Sequence, residues 1–79
     1  MDENKKRILT AAGFTEHFDR NAYFNLTTKK VFTTEIVDDQ SEQWLLGAIA
    51  DANESRSWVF YADPPPSEQA KRAFLASIR

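Results

Sequence analysis

The run Ala22-Tyr23-Phe24-Asn25-Leu26-Thr27-Thr28-Lys29-Lys30-Val31-Phe32-Thr33-Thr34-Glu35-Ile36 decides the fold. Ala22, Phe24 and Leu26 alternate with Tyr23 and Asn25. After a break, Phe32, Thr34 and Ile36 alternate with Val31, Thr33 and Glu35. Period-two patterning in aromatic and β-branched residues predicts strands over 22–26 and 30–36. The intervening Thr27-Thr28-Lys29 reads as a short hairpin loop, without the Asn-Gly pair that marks the tightest turns. A competing reading ends the second strand near Thr33 and starts a helical turn at Thr34.

Moving downstream, the period changes. Trp44, Leu45, Ala48, Ile49 and Ala52 form one apolar stripe at helical spacing, which predicts a helix over 40–53. Asp39 is its expected N-cap, with Glu42 three residues on as in a capping box, and Asn53 can end it. Gly47 inside that stretch suggests close approach by a neighbouring element. Residues 57–62 read as a third strand, with Trp58, Phe60 and Ala62 on one face and Val59 and Tyr61 on the other. Bulky groups on both faces predict a central strand covered on both sides. Asp63-Pro64-Pro65-Pro66 stops it. Ser67 then caps a last helix over 67–78, where Ala70, Phe74 and Ile78 recur every fourth residue.

Upstream, residues 3–12 read as a short helix with Ile8, Leu9 and Ala12 on one face. Gly13 is its expected C′ residue, and Phe14 folds back onto the last turn. Residues 15–21 read as a polar connector. The predicted order is α-β-β-α-β-α. The fold class is α+β: a three-stranded, mainly antiparallel sheet packed by helices, with strand order 2-1-3 if a crossover places the third strand beside the first. A dimer could form across an edge that the second or third strand leaves open.

A chain of 79 residues makes a single small domain, 1–79. Such a chain has little volume to spare for a deep cavity. The two Trp, two Tyr and six Phe argue against disorder. There is no cysteine, hence neither disulfide nor thiolate metal site. No apolar run reaches transmembrane length. The polar start does not read as a secretory signal, so a cytoplasmic location is expected.

Formal net charge is −2, without the basic excess of a dedicated duplex-DNA binder. The charges are unevenly spread. Residues 31–55 hold six acids (Glu35, Asp38, Asp39, Glu42, Asp51 and Glu54) and no base. The segments on either side are mildly basic. Acids at a helix start complement its dipole, but Asp51 and Glu54 fall toward the far end, where capping does not account for them.

Catalytic signatures are sparse. His17 is the only histidine, set in the polar connector, and no nucleophile elbow accompanies it. The two glycines, Gly13 and Gly47, lie too far apart to form a phosphate-binding loop. Spaced donors and a turn glycine for calcium are missing. No cofactor, metal or catalytic residue is therefore assigned. The periodicity places Trp44 and Trp58 in the core, and Tyr23 and Tyr61 in partly exposed positions.

The expected function is a non-catalytic protein-binding module, such as a small inhibitor, immunity-type or regulatory factor. It would dock a basic partner through the acidic helix and Glu35–Asp39. The alternative is a single-stranded nucleic-acid or nucleoprotein accessory that uses Arg20, Tyr23, Lys29 and Lys30 around the hairpin.

Overall fold

The computed structural model describes residues 2–78. Four helices and a four-stranded mixed sheet follow one another in α+β fashion: α1 (Glu3–Ala11), β1 (Thr15–His17), a 3-10 turn (Phe18–Arg20), β2 (Ala22–Asn25), β3 (Lys30–Thr33), α2 (Thr34–Asp39), α3 (Glu42–Ala50), β4 (Val59–Tyr61) and α4 (Glu68–Ser77). The sheet order is β1-β2-β3-β4. β1 and β2 pair antiparallel, as do β2 and β3, whereas β3 and β4 pair parallel.

The predicted hairpin is present, with Tyr23 opposite Phe32 and Phe24 opposite Val31. The third predicted strand, now β4, does not lie beside the first. That edge belongs to β1, drawn from the segment read as a connector. Glu16 sits opposite Tyr23, and His17 opposite Ala22. β4 therefore takes the free edge of β3, in the parallel sense that a crossover through α2 and α3 permits. β4 is an edge strand rather than a central one: both of its faces pack against a core cluster, but its residues stay half-buried, as do Trp44 and Trp58, which the periodicity places in the core.

Alternation sorts the sheet residues onto two faces. On one face, Tyr23 and Phe32 join Leu9, Phe14, Val37, Leu45 and Ala48 in the larger core under α1, α2 and α3. Phe32 stacks on Tyr61 at 4.4 Å and 6°, and Trp44 meets both rings edge-on. On the other face, Ala22 and Val31 pack with Phe24, Trp58 and Phe60 against Phe74 and Leu75 of α4. Tyr23 is buried, not partly exposed, because its strand partner Phe32 points into the same core.

The helix ends explain the remaining differences. Gly13 (φ +90°) closes α1 with a Schellman pair: its N–H donates to the Thr10 carbonyl at 3.0 Å, and Phe14 N–H donates to the Leu9 carbonyl at 2.9 Å. The second hairpin strand stops at Thr33, whose hydroxyl accepts from Ile36 N–H and so caps α2. This is the competing reading of 30–36. Asp39 is consequently the last residue of α2 and not a cap. Ser41 caps α3 by accepting from Trp44 N–H at 3.0 Å. Ser67 caps α4 as expected. Gly47 is exposed, and a methyl group there would meet nothing within 4 Å, so no close approach depends on it.

Candidate functional site

Two buried lysines hold the frame on which the surface is built. Lys5 Nζ donates to the carbonyls of Val37 (2.9 Å), Asp38 (3.3 Å) and Gln40 (2.5 Å) at the end of α2. Lys30 Nζ donates to those of Ala48 (2.6 Å), Ile49 (3.0 Å) and Asp51 (2.5 Å) at the end of α3. An ammonium has three protons to donate, and the carbonyl end of a helix carries partial negative charge. Each lysine thus terminates a helix from inside the protein.

Lys30 is accordingly not available to a nucleic acid. It is 2% exposed, and desolvation lowers its pKa, although the Asp51 carboxylate pulls it back up. Of the four residues on that alternative face, Tyr23 and Lys30 are buried. Arg20 and Lys29 reach the surface at opposite ends of β2. The four do not form one surface.

The six acids are all exposed, but they divide. Glu35, Asp38 and Asp39 on α2 and Glu42 at the start of α3 lie within eight residues of one another. Asp51 and Glu54 follow the other end of α3, a helix about 13 Å long at 1.5 Å per residue. Asp51 also serves the fold, through its carbonyl on Lys30 and its carboxylate near Tyr61. Ion pairs among the described residues are Lys6–Glu16 and Lys71–Glu68, so none of the six acids has one. Burial raises the pKa of the Tyr23 phenol, and the negative charges of Glu16, Asp38 and Glu3 raise it further.

His17 lies in a shallow cleft of about 340 Å³ with Ser77, Glu16 and Asp19 among its walls. Ser77 Oγ donates to the Phe74 carbonyl at 2.6 Å, which leaves it to accept from His17 Nε2 at 3.0 Å. The imidazole rests between Phe24 and Phe74. In a nucleophile–base pair the serine proton points at the imidazole and a third group orients the ring. Here the proton points away, and among the described residues no carboxylate bonds the ring. The contact joins β1 to the end of α4.

One cluster escaped the reading of the sequence. Lys29, Arg56, Lys71 and Arg72 come together around Trp58 and Phe60 on the α4 side of the sheet. These cations are dispersed over more than forty positions. The available signal was the excess of bases after residue 55, facing a strand with two aromatics on one side. Compared with known protein families, curated proteins and solved structures, the chain matches none of them.

Proposed function

We propose that this domain is a non-catalytic protein-interaction module that docks a basic partner on the acidic shelf of Glu35, Asp38, Asp39 and Glu42. It would act in the manner of a small inhibitor, immunity-type or regulatory factor. One observation carries the reading: four carboxylates fall within the eight residues from Glu35 to Glu42, along α2 and into the first turn of α3, exposed and without an ion pair among the described residues. Asp38 and Asp39 lie at a helix C-terminus, where acid is mildly unfavourable for the helix. Their backbone is held in place by Lys5, so the charges are displayed on a fixed support. A complementary basic surface would be steered to them and oriented by them.

The test compares affinity capture from the native host by the wild-type domain and by a Glu35→Gln/Asp38→Asn/Asp39→Asn/Glu42→Gln variant, with folding checked by circular dichroism. A basic protein held by the wild type should lose about tenfold or more in affinity to the variant, most clearly at low salt. Asp51→Asn/Glu54→Gln should retain it. An unchanged set of captured proteins would refute the assignment.

A further inference from the structure

The sheet separates the acidic shelf from a second charged surface on its other face. This second site goes beyond the docking function proposed above and uses none of the same residues. Two loops form one of its lips. Asn53 Nδ2 donates to the carbonyls of Thr28 (2.9 Å) and Ser57 (2.7 Å), which clamps the hairpin turn to the segment leading into β4. Val59 N–H donates to the Lys29 carbonyl at 2.9 Å and extends the same clamp. Lys29 and Arg56 are thereby held on one cleft. Both occupy left-handed backbone conformations, at φ 57° and 58°. A side chain is disfavoured there, so the surrounding bonds must hold these conformations in place.

Helix α4 forms the opposite lip. Phe74 and Leu75 anchor it on the sheet. Lys71 precedes Leu75 by one helical turn, and Arg72 is beside it. Lys71 Nζ lies 5.8 Å from the centre of the Phe60 ring, within cation–π range. Between the lips is a cleft of about 500 Å³, open to solvent, with half-buried Trp58 and Phe60 in its wall. Four cations line it against one carboxylate, Glu68, which already faces Lys71 at 3.5 Å.

The geometry points to a single-stranded nucleic acid as the occupant of this cleft, its phosphodiesters running along Lys29, Arg56, Lys71 and Arg72 and a base stacking on the exposed part of Trp58. Cations on two lips with an aromatic ring between them match how unpaired strands are held: charge follows the backbone, and rings take bases without regard to sequence. An acidic peptide could satisfy the cations but would leave the indole unused. A duplex keeps its bases stacked internally and has none to offer Trp58. The overall charge of −2 does not oppose this, because the screened field at the cleft is set by nearby groups: the acids of α2 are on the far side of the sheet, and although Asp51 shares an adjoining pocket with Lys29 and Arg56, the cleft itself carries four cations against Glu68.

The experiment titrates the whole domain into a short fluorescein-labelled oligothymidylate and the matching oligouridylate, with anisotropy as readout, across a salt series. Four phosphate contacts on a single strand predict that affinity falls about 50-fold between about 50 and 200 mM salt. Arg56→Asn, which tolerates the left-handed backbone, combined with Arg72→Gln should reduce that to about 7-fold. The Trp58 indole N–H resonance should move on binding while that of Trp44 stays in place. Variants of the acidic shelf should bind oligonucleotide as the wild type does, which keeps the two proposals separable. Absence of binding at low salt, an unaltered salt dependence in the double variant or a stationary Trp58 resonance would overturn the assignment. Oligoglutamate binding as tightly as the oligonucleotides would overturn it in favour of an acidic protein partner.

Discussion

Lys29 and Lys30 are adjacent and chemically identical, yet they have opposite environments. Lys30 shares a strand face with Phe32, so its stem enters the core and its ammonium meets three carbonyls at the end of α3. Lys29 lies in the turn. Replacing Lys30 by methionine would relieve the cost of burying a charge, and such relief alone can be neutral or favourable. It would also strand those carbonyls, and the one on Ala48 is deep enough that water cannot easily substitute. An orphaned buried acceptor costs about 1–3 kcal/mol, so that loss should prevail. Lys30→Met is expected to destabilise the domain by about 2 kcal/mol, lowering its melting temperature by about 8–16 °C. Lys29→Met should stay within about 0.5 kcal/mol of wild type. Equal melting of the two variants by circular dichroism would show that the three carbonyls find other partners. The difference between these lysines was legible, since a residue two before a core phenylalanine in a strand must share its side. The same rule buries Tyr23 opposite Phe32. Reading the pair as a basic hairpin tip gave charge more weight than phase.

Among the elements, those with long periods or strong punctuation were readable and the short ones were not. Helices α1 and α4, the hairpin and β4 carry apolar periodicity together with Gly13, Ser67 or a proline run. β1 is Thr-Glu-His, with no hydrophobic alternation, and exists because β2 offers it a free edge. α2 has six residues, fewer than two turns, too short for a helical period to show beside the strand pattern it interrupts. That merger also misplaced the cap. Ser41→Ala should cost about 1 kcal/mol in chemical denaturation because it frees Trp44 N–H. Asp39→Ala should be neutral or slightly stabilising, since it removes negative charge from a helix C-terminus. The reverse order would restore Asp39 as the cap. The glycines give a second pair of opposite signs. Gly13→Ala must adopt φ near +90° with its methyl 3.2 Å from Asn25 Nδ2, and should lose about 1–2 kcal/mol. Gly47→Ala adds helix propensity in open space and should gain about 0.5–1 kcal/mol. Thermal melts that move in the same direction for both would contradict this account. The candidate sites were less legible than the elements. The acids were visible as a block, but their split between two helices depended on the unseen break at Gln40. The basic cleft is assembled from a turn, a loop and a helix that only the tertiary fold brings together.

For the whole molecule, the two-faced sheet concentrates ionisable groups in the core beneath α1, α2 and α3, and this sets the response to alkali. Burial raises the Tyr23 phenol, and Glu16, Asp38 and Glu3 raise it further. Burial also raises Tyr61, with Asp51 adding to it. A phenol raised in the folded state keeps its proton after the unfolded chain has released its own at about pH 10, so each tyrosine withdraws stability as the pH climbs from there. Lys30 acts with the opposite sign. Its lowered folded value means that the folded state sheds a proton before the unfolded chain does, so stability is gained across the window that ends near the free lysine value of about 10.4. That gain is complete where the tyrosine losses are still growing, and two groups then act unopposed. Unfolding free energy from urea titrations should hold or rise slightly up to about pH 10 and fall steeply beyond it. Tyr61→Phe isolates one contribution. Its hydroxyl reaches Ala48 only at 3.5 Å, so the variant should be near wild type at neutral pH and decline less steeply above pH 10. Parallel curves for variant and wild type over the whole alkaline range would mean that Tyr61 ionises as readily folded as unfolded, with its hydroxyl in water while its ring stacks on Phe32.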